Sequence, residues 1–255
     1  MPGFRPLSRP LLAALALLVG LGGGVLPSAQ AAPPTPGQLQ ALEAALNSDT
    51  PGALGAVVTA GAGLDPVALE RRRLRLRDAF RDLRWQVSPA SALRDGRPTV
   101  TLRVTGRHEQ AGTSFLLEAE QRLVLDSDGQ RIHGQTVVQE RSLLSSGTKV
   151  PAVSVLIPDA VLTGQRYDLD VVFDEPLDGA LVAGGVVPVT PEQVDAQETP
   201  EMQLGALGGG GLFKTVQAPL KPGFQTWAVL LVHPDGIVSA SKRVRVVADR
   251  QALNP

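Results

Sequence analysis

The sequence predicts a mainly β protein, in which an α+β region comes first and an all-β sandwich follows. Three observations support this fold class. Apolar residues recur at helical spacing up to about residue 83, and strict alternation replaces that spacing from residue 84 onward. Beyond residue 150, roughly seven short strand-like segments are separated by turn residues, a pattern typical of a sandwich. Helices should therefore pack on an antiparallel sheet in the first region.

Three helices are predicted before the first strand. The first covers residues 38–46, where three leucines fall on one stripe. The dipeptides Thr-Pro at 50–51 and Asp-Pro at 65–66 each combine an N-cap residue with proline at the first helical position. A short second helix should start at the former, and the longest helix should run from the latter to about Leu83.

Alternating apolar residues predict the strands of both regions. Turn residues such as Asp126-Ser-Asp-Gly129 and His233-Pro-Asp-Gly236 join neighbouring segments as hairpins. The predicted strands cover residues 84–88, 97–105, 114–126 and 131–144, then 152–157, 165–173, 180–189, 212–217, 223–232 and 236–247.

Residues 1–31 have the three parts of a cleavable secretory signal peptide. Arg5 and Arg9 give a basic start, an unbroken apolar run covers 11–19, and an A-x-A site ends at Ala31. The run is shorter than the roughly 20 residues that a membrane span needs. We therefore expect cleavage after Ala31, export to the periplasm or the cell exterior, and a mature chain without a transmembrane segment.

Composition excludes several classes of function. The chain has no cysteine, which removes disulfides, thiolate metal sites and cysteine nucleophiles. Residues 32–150 hold 15 basic and 13 acidic residues, and residues 151–255 hold 7 and 12. Neither balance suggests a nucleic-acid partner, which requires a clustered basic face. No motif identifies a metal, a cofactor or a catalytic residue.

Four segments are predicted along the chain. The signal peptide is followed by a proline-rich leader at 32–37, a domain of helices and strands at 38–147, and a sandwich domain at 148–250. The polar, turn-rich segment 144–151 marks the boundary between the two domains.

The second domain resembles an immunoglobulin-like domain of the bacterial exported kind. Tyr167-Asp-Leu-Asp-Val-Val-Phe173 matches its B strand, residues 223–232 match its F strand, and residues 239–247 match its closing strand. The chain departs from the antibody pattern because it has no cysteine pair and because Trp227 comes late. The resemblance implies a fold and no particular function.

The first domain resembles the cystatin-like cone fold of the nuclear transport factor two superfamily, in which helices pack into a curved antiparallel sheet. The order of helices over 38–83 and strands through 144, with Trp85 at the junction, carries the resemblance. That superfamily includes isomerases, dehydratases, ligand binders and assembly domains. Residues 32–150 hold no tyrosine, so the oxyanion device of the isomerases is missing.

Two groups of residues are candidate sites. Arg71, Arg72 and Arg75 belong to an arginine-rich helix that could contact an anionic surface or partner, although a solvated helix face would give the same pattern. A ligand pocket in the first domain could be lined by four residues, which could equally be ordinary strand residues. These four are Trp85, His108, Glu118 and His133.

The preferred hypothesis is a non-enzymatic, exported binding or assembly module that engages a protein or another component of the cell envelope. It follows from the absence of any catalytic constellation and from a sandwich that presents surfaces. One alternative is a small-ligand-binding or weakly enzymatic pocket in the first domain. Another is docking of the arginine-rich helix to an anionic surface. The sequence implies no cofactor.

Overall fold

The computed structural model describes residues 32–110, 112–147, 151–208 and 210–254, so the predicted signal peptide lies outside the described residues. Strands hold 51% and helices 18% of the structure, which is therefore mainly β. The helices are α1 (Pro36–Asn47), α2 (Pro66–Ala79) and α3 (Pro191–Ala196). The strands are β1 (Arg81–Ala90), β2 (Thr99–Gln110), β3 (Thr113–Ser127), β4 (Ile132–Gly147), β5 (Val153–Leu156), β6 (Ala160–Leu162), β7 (Arg166–Phe173), β8 (Ala183–Val189), β9 (Gly205–Ala206), β10 (Gly211–Gln217), β11 (Gly223–His233) and β12 (Gly236–Val247).

One large sheet runs through both predicted domains. Its strand order is β1-β2-β3-β4-β12-β11-β8-β9, all antiparallel, and the short β6 adds to β12 in parallel. The pairing of β4 with β12 joins the two regions, because eight residues from Gly236 to Arg243 pair with Gly147 back to Glu140. The sheet is therefore continuous across the predicted boundary. A second sheet, of order β10-β7-β5, contains three strands.

Helix α2 begins at Pro66, as its Asp-Pro pair predicts, whereas α1 begins at Pro36, two residues before the predicted start and inside the predicted leader. At α1, the Thr35 side chain accepts a hydrogen bond from the Gln38 backbone, and the Gln38 side chain accepts one from the Thr35 backbone. At α2, the Asp65 carboxylate accepts hydrogen bonds from the two backbone N–H groups at 67 and 68. The short helix predicted at 50–58 is instead a single 3-10 turn, Ala53–Ala56.

The longest helix ends earlier than predicted, at Ala79 rather than near Leu83. Phe80 is extended and only 3% exposed, and the chain continues directly into β1. Phe80 and Leu83 both pack over Gly106 of β2, where an added Cβ would lie 2.9 Å from the Phe80 Cβ. The apolar residues that extended the helical pattern therefore belong to the contact between β1 and β2.

The two largest hydrophobic cores lie on opposite faces of the large sheet. On one face, α1 and α2 cover β1 to β4, with Trp85 buried at the centre. On the other face, the three-stranded sheet covers β8, β11 and β12. In this second core the indole N–H of Trp227 donates to the Tyr167 hydroxyl at 2.9 Å, and that hydroxyl donates to Gln225 at 2.7 Å. The buried polar atoms of both rings are thus paired.

Buried charges connect the first region to the second on the helical face. Arg243 of β12 donates to Glu140 of β4 at 3.3 Å, and Arg72 of α2 pairs with Asp195 of α3. Burial lowers the pKa of Arg72 below its usual range, and the charges of Asp195 and Glu140 partly oppose this. The Phe224 ring stacks on the Arg243 guanidinium, 3.6 Å from its Cζ.

Removal of Glu140 should destabilise the whole protein. Glu140→Ala leaves Arg243, only 6% exposed, without its carboxylate and removes one of the anions near Arg72. We expect a loss of about 3–5 kcal/mol in the free energy of unfolding, measured by denaturant titration. Glu118→Ala, an exposed change on β3, should cost less than about 0.5 kcal/mol. Equal losses in the two variants would contradict a structural role for the buried charges.

Candidate functional site

Apolar side chains fill most of the space between the helices and the sheet. A cavity of about 20 Å³ lies between α1, α2 and the sheet, which is room for about one water molecule. Leucines and valines such as Leu42, Leu69 and Leu102 line it, and Gln135 is its one polar neighbour. Ligand pockets usually measure about 300–1,000 Å³. Side chains therefore fill the place where the sequence predicted a ligand.

The four residues predicted to line that pocket are not brought together. Trp85 is 1% exposed within the first core. The ring of His108 contacts Phe80 and Phe115, and its Nδ1 lies 2.6 Å from the carbonyl oxygen of Ala79.

The remaining two predicted pocket residues lie elsewhere. His133 lies at the opposite end of the β3–β4 hairpin from His108, because it follows Ile132, which pairs with Ser127 at the end of β3, whereas His108 pairs with Phe115 near the start of β3. Glu118 pairs in register with Thr105 and Leu143, so it projects from the sheet face opposite the helices.

The arginines of α2 mostly contact other parts of the same chain. Arg72 is 3% exposed and bound to Asp195, so its guanidinium is not at the surface as the docking hypothesis requires. Arg75 is exposed, yet its Nη1 donates to the carbonyl oxygen of Ala196 at 2.7 Å. Arg71 is exposed. Two of the three predicted contact residues therefore bind α3.

The structure shows an open cleft of about 330 Å³ on the other face of the large sheet. We call it the β5 cleft, because Val153 and Val155 of β5 form one wall. Leu143 of β4 and Ala240 of β12 form an apolar centre. Polar side chains of the neighbouring strands surround that centre: Arg103, Thr105, Glu118, Glu120, Arg141 and Lys242.

The cleft exists because the two sheets differ in width. The three-stranded sheet stacks over β8, β11 and β12 and ends at β5. The large sheet continues beyond β12 to β4, β3 and β2, and the face of these strands next to β5 is open. Of the four predicted pocket residues, only Glu118 lines this cleft.

Charged side chains around the cleft are largely paired with each other. Glu120 accepts a hydrogen bond from Arg103 at 2.9 Å and lies 3.6 Å from Arg141. Burial raises the pKa of Glu120, but the Arg103 hydrogen bond and the two arginine charges outweigh it, so this pKa lies below its usual value. Lys242 pairs with Asp159. The cleft therefore offers fixed charges of both signs around an apolar centre.

A second depression, of about 540 Å³, lies at the end of the sandwich between two loops. It is lined by Phe173, Glu175 and Asp178 on one side, and by His233 and Asp235 on the other. The His233 Nδ1 lies 3.5 Å from the Asp235 carboxylate. In the described part of the chain, no three His, Asp or Glu side chains converge closely enough to hold a metal ion.

Sequence reasoning missed both the β5 cleft and helix α3. A signal for α3 was present, because Thr190, Pro191 and Gln193 form a capping box with proline at the first helical position. The segment between Pro151 and Pro158 contains no charged residue, which would have identified β5 as unusual for an edge strand. The sequence of this segment could not show that β5 has a neighbour on only one side, because that depends on tertiary structure.

Glu120 should make stability depend on pH. Its pKa is lowered in the folded protein from about 4.5, so the ion pairs contribute fully above that value. The contribution is lost as the pH falls through the lowered folded-state pKa. Glu120→Gln should therefore flatten the fall in Tm between about pH 5 and pH 3. Glu201→Gln, an exposed change outside the cleft, is the control, and identical slopes for both variants would contradict the ion pairing.

Residues 148–247 match a protein family described as "Domain of unknown function (DUF8623)". The matched range covers β5 to β12, which include the whole three-stranded sheet and one wall of the β5 cleft. No curated protein matches the chain.

Proposed function

We propose that the mature chain is an exported, non-enzymatic binding module of the cell envelope and that its partner occupies the β5 cleft. The observation that supports this most is the contrast between the two faces of the large sheet. The helical face is filled to about 20 Å³, whereas the opposite face carries an open cleft of about 330 Å³ with an apolar centre.

The chemistry of the cleft favours binding over catalysis. Its charged groups are paired as Arg103 with Glu120 and Lys242 with Asp159, so they are held in place rather than poised for proton transfer. The half-buried Leu143 offers apolar surface between them, and the buried Ala240 lies beside it at the base of the cleft. Such a combination of an apolar centre and a polar rim is typical of protein interfaces.

Our fold proposal for the two regions remains a cone-like unit followed by an immunoglobulin-like sandwich. Helices α1 and α2 packed on one face of β1 to β4 support the first part. Two sheets facing each other around Tyr167 and Trp227 support the second. Both units would share the large sheet through β4 and β12.

Leu143→Arg should abolish partner binding. The change places a charge at the apolar centre of the cleft, and we expect at least a tenfold loss of a retained envelope component. Immobilised residues 32–255 would be exposed to an envelope extract of the native host, and retained proteins quantified by mass spectrometry. Leu181→Arg, at a leucine that is 88% exposed and does not line the cleft, is the control. The proposed function would be contradicted if Leu143→Arg left the retention of envelope components unchanged, or if the unmodified protein retained none.

Export should leave a mature protein that begins at Ala32. Intact-mass measurement of the protein from the periplasmic fraction should therefore give the mass of residues 32–255. Ala31→Leu should block processing, because the cleavage site requires small residues. An unprocessed chain that stays in the cytoplasm would contradict the export proposal.

A further inference from the structure

The backbone of β5 has one unpaired edge that faces the cleft. Asp174 donates its backbone N–H to the carbonyl oxygen of Ala152, and β5 continues this antiparallel register with β7. Bonded and non-bonded pairs alternate in such a ladder. Ser154 and Leu156 therefore bond to β7, whereas the N–H and C=O groups of Val153 and Val155 point to the opposite edge. No described strand pairs with that edge.

The outer strands β1 and β10 carry charge or proline that discourages pairing, whereas β5 carries neither and is limited only by its length of four residues. The outer strand β1 contains Pro89 together with charged residues. The outer strand β10 contains Lys214, which pairs in register with the buried Leu169 and places an exposed charge on this edge strand. β5 reads Val-Ser-Val-Leu, without charge or proline. An uncharged, unpaired edge is a template for another strand.

A strand added to β5 would lie in the cleft already described. It would lie about 4.8 Å from β5 and about 10 Å above the large sheet, at the usual spacings of paired strands and stacked sheets. Its position is above β4 and β3, where Leu143 forms part of the floor. The side chains of Val153 and Val155 border the same space. The addition would extend the narrower sheet over the open face of the wider one.

We propose that the β5 cleft takes an extended polypeptide segment of its partner as a fourth, antiparallel strand of the three-stranded sheet. This inference rests on the proposed binding function and names the chemistry of the partner. The fitting segment alternates apolar and polar residues, with the apolar ones directed at Leu143 and Ala240. Because the rim charges pair with each other, the floor-facing side of the segment needs no charge. Pro151 and Pro158 limit the pairing edge to the residues between them.

A synthetic peptide can serve as the probe. It has nine residues, alternating valine and threonine with a lysine at each end, and both termini are blocked. In the antiparallel arrangement the floor-facing valines direct their N–H groups at β5. N-methylation of the valine amides should abolish binding measured by fluorescence anisotropy, whereas N-methylation of the threonine amides should leave it unchanged. Equal binding of both methylated peptides would overturn strand addition.

Protein variants test the same geometry from the other side. Bound peptide should slow hydrogen exchange at the amides of Val153 and Val155 at least tenfold. Val155→Pro removes an outward N–H without removing a bond to β7, so it should weaken peptide binding at least tenfold. Thr215→Pro, at an outward position on the opposite edge of the same sheet, should not change binding. Thermal unfolding verifies that both variants are folded.

Three outcomes separate this inference from the proposed function. If an envelope component is retained in a manner sensitive to Leu143→Arg but the peptide neither binds nor slows exchange, strand addition is overturned and the binding function stands. If neither retention nor peptide binding occurs, both fall. If light scattering shows a dimer without peptide that Val155→Pro dissociates, the edge pairs with a second copy, and the peptide proposal is overturned.

Discussion

The pairing of β4 with β12 is the interaction on which the rest of the structure depends. It joins residues about one hundred positions apart and makes one sheet from two regions that each have their own hydrophobic core. Because the hydrogen bonds run from Gly147 to Glu140, the relative orientation of the two regions is fixed by backbone geometry. A flexible linker between separate domains would not position side chains of both regions around one cleft.

Side chains on the helical face reinforce this junction. Glu140 and Arg243 stand opposite each other on the two joined strands, and Arg72 reaches from α2 to Asp195 of α3. Burying these groups costs solvation, and the cost is offset only when every charge keeps its partner. The arginine-rich pattern of α2 therefore serves largely for contacts within the chain.

The unequal widths of the two sheets create the β5 cleft, in which we propose that a partner binds. The three-stranded sheet ends at β5, although the large sheet offers further face to cover beyond β12. Elsewhere the same face is closed, as the buried Val229 and Leu231 show. Evolution has often protected exposed strand edges with charge or proline. β5 has neither, and its edge lies beside a space of about 330 Å³, which is the basis of the proposed strand addition.

Local patterns in the sequence determined most of the elements, because caps, turns and alternation act within a few residues. Asp65 starts α2 and the His233 to Gly236 turn joins β11 and β12, as predicted, whereas Thr35 starts α1 inside the predicted leader. The same locality limited the candidate site, since strand register decides which face a side chain joins and no neighbour along the chain reveals it. The sequence therefore predicted Glu118 and His108 in one pocket, although their side chains project from opposite faces of the sheet. The joining of β4 to β12, the buried role of Arg72 and the open edge of β5 were decided only by tertiary structure, because each depends on residues distant in sequence.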